Sequence, residues 1–242
     1  RHARRHLAGE RARPRAMSVA AKAPPKQDRA RATYDRLLDV AGLLLAEEGI
    51  ERISTNRIAA EAGLSPPALY RYFGDKYAVL EALGRRLMER QNAVLEAWIE
   101  RHRRGGIAAM AGHIGELLAE TAAVTRAEPG AVWTLRALHA TPRLVHVRLE
   151  SHRHVTDRLT DACAPHLPAI GRDMLWRRLR LAVELGFAAE EMTNEEDCVP
   201  ADAVLADVTA MLGGLLLDLT PLPQAGGVGG GQGQSGGPPG CD

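Results

Sequence analysis

The side chains best suited to bind a metal ion form a regularly spaced group near the middle of the chain. His146, Glu150 and His154 recur every four residues, so on a helix they would share one face. Two imidazoles and a carboxylate are suitable ligands for a divalent cation. The stripe is, however, surrounded by charges typical of a solvated, ion-paired helix: Arg143, Arg148, Arg153, Asp157 and Arg158. We therefore expect neither a metal ion nor a cofactor.

Signatures of catalysis are missing from the sequence. It contains no glycine-rich phosphate loop, Gly-x-Ser-x-Gly, His-Glu-x-x-His or Cys/His pair, and His113 with Glu116 resembles an ordinary surface pair. Cys163, Cys198 and Cys241 are too widely spaced for a disulfide framework or a zinc cluster. The sequence contains no run of about eighteen apolar residues, so it predicts no membrane-spanning helix. We expect a cytoplasmic protein that is not an enzyme and has no membrane partner.

Composition and hydrophobic spacing predict an all-α fold. Aromatic residues make up only 4% of the chain, and no segment shows the period-two alternation of a strand. A first helix is predicted to begin at Thr33, as N-cap, and to end at Gly49. Further helices are predicted at 107–126, 129–140, 142–164, 168–192 and 200–219.

Residues 53–73 predict two short helices joined by a tight turn. Ser54 or Thr55 can cap the first helix, which ends at Gly63, and the second spans Pro67 to Tyr72. Two such helices must cross steeply, so the second projects outward and fits the major groove of DNA while the first contacts phosphates. The predicted outward residues are Ser65, Pro66, Pro67, Ala68, Tyr70, Arg71 and Tyr72.

The segment 33–83 resembles the DNA-binding domain of TetR/AcrR-type transcriptional regulators. The resemblance lies in these motifs: Arg36-Leu-Leu-Asp-Val-Ala41, Ala46-Glu-Glu-Gly49, Arg57-Ile-Ala-Ala-Glu-Ala-Gly-Leu-Ser65, Leu69-Tyr-Arg-Tyr-Phe73, Asp75-Lys76 and Val79-Leu80. It implies a homodimeric repressor that binds a palindromic operator and is released by a small molecule. A transcriptional activator and a DNA-binding protein without a ligand are the alternatives.

The resemblance also implies roles for individual residues in DNA binding. Tyr70, Tyr72 and Lys76 stand at positions that bind phosphates. Ser54, Thr55 and Asn56 would contact the backbone, with Asn56 close enough to reach a base; capping alone also explains Ser54. The residues facing the bases would be Pro66, Pro67 and Ala68. These three offer only apolar contacts, so polar recognition would depend on Arg71, Asn56 or DNA shape.

The chain is predicted to have four parts. Residues 1–28 form a basic arm that suits a polyanion but also fits a disordered leader, and residues 222–242 form a disordered glycine-rich tail. Residues 29–78 form the DNA-binding domain, and residues 79–221 form a helical domain for ligand binding and dimerisation.

Two predictions concern the C-terminal domain. The last two helices are apolar over more than one face, so we expect a four-helix dimer interface rather than only a monomer core. Its predicted residues are Leu175, Leu179, Ala182, Gly186, Leu205, Val208, Leu212, Leu215 and Leu219. The preceding helices should enclose a ligand pocket, although core packing is the alternative for each residue. Its predicted lining is Trp98, Met110, Ile114, Leu117, Trp133, Arg136, Leu138 and His139.

Overall fold

The computed structural model describes residues 26–196 and 198–219, and every regular element in these ranges is a helix. The α-helices are α1 (Lys26–Glu48), α2 (Thr55–Glu61), α3 (Pro66–Tyr70), α4 (Lys76–His102), α5 (Gly106–Gly112), α6 (Ile114–Ala127), α7 (Ala131–Ala140), α8 (Val145–Cys163), α9 (Arg172–Glu195) and α10 (Ala201–Leu217). Single 3-10 turns follow α4 and α8, at Arg103–Gly105 and Ala164–His166. The all-α prediction is confirmed.

The first helix begins seven residues earlier than the sequence predicted. Thr33 is not its N-cap, because the Thr33 hydroxyl donates a hydrogen bond of 2.9 Å to the carbonyl oxygen of Arg29, one turn back in the same helix. The arm predicted for 1–28 therefore overlaps the start of α1. Its other residues and the tail predicted for 222–242 lie outside the described residues.

The helix predicted at 107–126 is two helices in the structure. α5 ends at Gly112, and α6 begins at Ile114 after a break at His113, whose backbone is no longer helical. The remaining predictions identify the right helices, with ends displaced by up to four residues. The break at His113 places the end of α4 beside the start of α6.

Two apolar cores divide the described residues. The first packs α1 to α3 and the first half of α4 against α7 and the start of α8, with Leu37, Leu69, Leu83 and Leu138 almost fully buried. The second packs the other half of α4 with α5, α6, α8, α9 and α10. The N-terminal helices thus share a core with α7, which belongs to the predicted C-terminal domain.

No single helix among the described residues is long and apolar enough to cross a membrane. The length and composition of a span are met only by a pair, Lys76–Gly112 with Ile114–Ala127, that is bent by 89°.

Candidate DNA-binding surface and internal cavity

The turn between α2 and α3 has the geometry that the sequence predicted. Ser54 caps α2, its Oγ accepting a hydrogen bond of 3.2 Å from the Arg57 amide. At the other end, the amides of Gly63 and Leu64 donate to the carbonyls of Ala60 and Ala59. This pair of hydrogen bonds is a Schellman motif, and it requires the left-handed φ of 66° that Gly63 adopts.

α3 is fixed on one side and exposed on the other. Leu69 is fully buried in the first core, whereas Ser65, Pro66, Pro67, Tyr70 and Arg71 are exposed. The Tyr70 hydroxyl lies 3.1 Å from Oγ1 of Thr55, which ties α3 to the start of α2. Among the described residues Arg71 has no ion-pair partner, so its guanidinium is available to a ligand.

The other residues predicted to bind DNA are at least partly accessible. Asn56 is exposed, while Thr55, Ala68, Tyr72 and Lys76 are half-buried. Lys76 begins α4, and its Nζ lies 3.5 Å from the carbonyl oxygen of Ile50 and 5.9 Å from the centre of the Tyr77 ring. Its charge thus lies beside the loop that precedes α2.

Asp75 anchors the start of α4. Its carboxylate accepts a hydrogen bond of 2.9 Å from the Ala78 amide and one of 3.0 Å from Arg143, in the turn that precedes α8. These bonds, the amide first, lower the pKa of Asp75, so the cap stays charged at neutral pH. Arg143 was not predicted as a site residue, because only the fold brings α8 to this position.

An apolar cavity of about 350 Å³ lies inside the second core. Three of the predicted pocket residues, Met110, Ile114 and Leu117, line it. Another part of its wall comes from residues that we expected at the dimer interface: Leu179, Ala182, Gly186, Leu205, Val208 and Leu212.

Most of the residues predicted for the dimer interface are buried inside the protomer. Six of them are buried within the protomer: Leu175, Leu179, Ala182, Val208, Leu212 and Leu219. Leu215 is half-buried against the second core, and Gly186 and Leu205 are half-buried at the cavity wall. The large apolar side chains that α9 and α10 expose are Leu181, Leu185, Met192, Met211 and Leu217. The i, i+4, i+11 spacing of Leu181, Leu185 and Met192 was a signal for this second face.

Five predicted pocket residues do not line the large cavity. Trp98 is fully buried in the core and donates its indole N–H to the carbonyl oxygen of His113, at 2.8 Å. Trp133 and Leu138 pack in the first core, against α1 and α4. Arg136 and His139 line a cleft of only about 30 Å³ and pair with Glu195 and Glu191.

Two buried oxygen acceptors mark the polar part of the large cavity. Gln91 donates from Nε2 to Oγ1 of Thr125, at 2.9 Å, but its Oε1 has no partner among the described residues. Oε1 of Glu190 is likewise buried and unpaired. Burial raises the pKa of Glu190, although Thr125 and Arg126 act in the opposite direction. Sequence reasoning missed both residues, since neither belongs to a motif.

The stripe of His146, Glu150 and His154 binds partners on α4 instead of converging on one point. His146 contacts Glu81 at 3.2 Å, Glu150 accepts from Arg85 at 2.9 Å, and His154 lies 3.8 Å from Glu96.

Cys163 is buried in the core, and burial raises the pKa of its thiol to about 11. Neither the stripe nor this thiol has the properties of a reactive site.

Comparison with known proteins agrees with this geometry. Residues 37–83 match the family described as "Bacterial regulatory proteins, tetR family". A nucleoid occlusion factor, SlmA of Glaesserella parasuis, is 41% identical over 63 residues, which are 26% of this chain and 29% of that protein. The matched segment thus spans less than a third of this curated relative.

Solved structures extend the likeness to most of the chain. A TetR-family transcriptional regulator of Streptomyces coelicolor has a TM-score of 0.53 at 24% identity, over 76% of this chain and 97% of that one. RolR, solved in complex with resorcinol, has a TM-score of 0.50 at 17% identity, over 82% of this chain and 99% of that one.

The fold and the matched segment define an all-helical protein with an N-terminal helix-turn-helix domain. Residues 37–83 match the DNA-binding segment of the TetR family of bacterial regulatory proteins, and the described chain shares the fold of solved TetR-family regulators.

Proposed function

We propose that this protein is a ligand-responsive transcriptional repressor that binds a palindromic operator as a homodimer. The observation that carries the proposal is α3, which is anchored by buried Leu69 and exposes Ser65, Pro67 and Arg71. A short exposed helix held at its inner face can enter the major groove. Tyr70 is exposed and Lys76 is half-buried, and we assign both to contacts with the phosphates beside the groove.

Lys76→Ala tests the phosphate contact. We expect the affinity for operator and unrelated DNA to fall alike, by about tenfold, because a phosphate contact carries no sequence information. The slope of log affinity against log salt should fall by about one for each protomer. The measurement is a fluorescence-anisotropy titration at several salt concentrations.

Arg101→Ala is the matched control for Lys76→Ala. It removes the same charge from the other end of α4, about 37 Å away along the helix, where Arg101 pairs with Glu120. We expect its DNA affinity to remain close to wild type. An equal loss in both variants, or a loss confined to one base position, would contradict the phosphate assignment.

The exposed apolar faces of α9 and α10 support the homodimer. The two helices pack against each other, and together they expose Leu181, Leu185, Met192, Met211 and Leu217. α10 also exposes Gly214, which allows another helix to approach closely. A second copy of the same helix pair is the occupant that completes a four-helix interface. Two-fold symmetry then requires two half-sites in the operator.

The cavity, and the ion pairs that connect its wall to α1, support regulation by a small molecule. α6 lines the cavity and leads into the loop at Glu128, whose buried carboxylate binds Arg86 and Arg90 of α4. Arg86 also pairs with Asp39 of α1, at 2.6 Å. A ligand that prefers one arrangement of α4 and α6 would change the separation of the two α3 helices.

The unpaired oxygens of Gln91 and Glu190 define the chemistry of the ligand. A compatible molecule has an apolar body that fills about 350 Å³ and one or two hydrogen-bond donors. A carboxylate ligand is disfavoured because it would lie near Glu190. Resorcinol, the ligand in the RolR structure, has an apolar ring and two hydroxyl donors, so it is a suitable first probe.

Glu190→Gln tests the polar part of the cavity. The raised pKa means that the folded state binds the proton more tightly than the unfolded state, so stability decreases as the pH rises through the two pKa values. Replacing the carboxyl with an amide should raise the free energy of unfolding by about 1 kcal/mol at neutral pH. The gain should vanish below about pH 4, where both states are protonated. Urea unfolding across this pH range measures it.

Glu191→Gln is the matched control, because Glu191 is adjacent in sequence but pairs with His139 outside the large cavity. The Glu191→Gln substitution should be neutral or slightly destabilising.

In the wild-type protein, resorcinol should raise the melting temperature with concentration, while benzoate should not. An equal gain from both substitutions, or equal shifts from both probes, would contradict the assigned chemistry.

Footprinting on the DNA upstream of the gene tests the regulator itself. We expect one protected palindrome, released when a binding ligand is added. Protection that overlaps a promoter and lowers transcription supports repression, whereas increased transcription identifies an activator. Protection unaffected by any cavity ligand identifies a DNA-binding protein without a ligand.

A further inference from the structure

The break between α5 and α6 brings together three side chains that are distant from the DNA-binding surface. His102 is the last residue of α4, His113 lies at the break, and Glu116 is in the first turn of α6. Nδ1 of His113 lies 2.7 Å from Oε1 of Glu116, and Nε2 of His102 lies 3.1 Å from Oε2 of the same carboxylate. The two imidazole rings are stacked, with centres 4.2 Å apart.

We propose that His102, His113 and Glu116 form a binding site for Zn²⁺ or another late first-row divalent cation. One ligand atom from each residue lies within 4.8 Å of the other two. A tetrahedral zinc ion needs ligand atoms about 3.3 Å apart, so side-chain adjustments of roughly 1 Å would complete the site. Two imidazole nitrogens and a carboxylate oxygen form a donor set suited to zinc, cobalt or nickel.

The surroundings of the cluster favour coordination. The backbone of His113 is fixed, because its carbonyl accepts the indole N–H of fully buried Trp98. The side chain of His102 is 13% exposed, while those of His113 and Glu116 are each 47% exposed. The cluster is therefore held from the protein side and open to solvent on the other, which leaves a coordination position for water.

A cation bound at this site would join two helices, α4 and α6. α4 runs from Lys76, beside the helix-turn-helix, to His102, and α6 lines the cavity. A cation bound to His102 and Glu116 joins the end of α4 to the start of α6. It thus restrains the same pair of helices that a cavity ligand would move, from a separate location.

Cobalt and zinc titrations of the full chain, freed of any affinity tag and treated with EDTA, test the site. Co²⁺ should produce the visible absorption bands of tetrahedral coordination, saturating at one ion per protomer. Zn²⁺ should displace it and raise the melting temperature. His113→Ala and Glu116→Gln should each weaken Zn²⁺ binding by about a hundredfold or more. None of these readouts requires DNA binding.

His139→Ala provides the matched control, since His139 contacts Glu191 at 2.6 Å but has no second imidazole in that pair. It should bind Zn²⁺ like the wild type. Circular dichroism of the His113 and Glu116 variants should show an unchanged helical fold. The proposal is overturned if the wild type gives no saturable binding, or if His113→Ala retains it while His139→Ala does not.

Discussion

Leu181→Glu is expected to convert the protein to monomers. Leu181 is 70% exposed on α9, so the substitution leaves the core of the protomer intact, and Arg177 one turn earlier can pair with the new carboxylate. In a homodimer the same substitution would instead take two carboxylates, one from each protomer, out of water at the proposed interface. Each costs several kcal/mol, so the dimer dissociation constant should rise by a factor of about 100 or more.

Sedimentation velocity measures the oligomeric state, and operator affinity should fall with dimerisation because a monomer binds only one half-site. Leu43→Glu is the matched control, since Leu43 is 51% exposed on α1, outside the proposed interface. Leu179→Glu, which charges a fully buried neighbour, should unfold the protein instead. A Leu181→Glu protein that remains dimeric would show that the interface is elsewhere.

Gly130→Val is expected to destabilise the contact between the N-terminal helices and the cavity domain. Gly130 has a left-handed φ of 72°, and a Cβ there would lie 2.6 Å from the carbonyl oxygen of Gly42 and 2.8 Å from Cβ of Leu45. Backbone strain and overpacking together should lower the free energy of unfolding by about 2–5 kcal/mol. For a chain of this size that is a decrease of about 10 °C in melting temperature.

Gly112→Ala is the control for Gly130→Val. Gly112 ends α5, and a Cβ at this position has nothing within 4 Å. Its melting temperature should stay within about 2 °C of wild type. Comparable losses in both variants would show that the approach of α1 to the start of α7 is not tightly packed.

The helix-turn-helix was predictable because its signals are local. Ser54 caps α2, Gly63 provides the left-handed turn, and Asp75 caps α4 within stretches of a few residues. Thr33 shows the limit of such signals. The same hydroxyl can cap a helix or bond to the preceding turn, and the sequence does not distinguish these outcomes.

The cavity wall and the exposed apolar face were not predictable, because both faces of α9 and α10 are apolar. Hydrophobic spacing shows that such a helix is covered on two sides, but it does not show which side meets its own chain. Leu179 and Leu212 point into the protomer, while Leu181 and Met211 remain exposed. Residues only one or two positions apart on one helix thus have different environments.

The amino-acid sequence by itself determined the all-α fold and the position of the helix-turn-helix segment, since caps, turn glycines and helical periodicity act within a few residues. Only the tertiary structure decided which side chains enclose the cavity, which face of α9 stays exposed, and that His102 meets His113 and Glu116. These contacts join residues that are distant along the chain, and their formation depends on how all the helices share the available space.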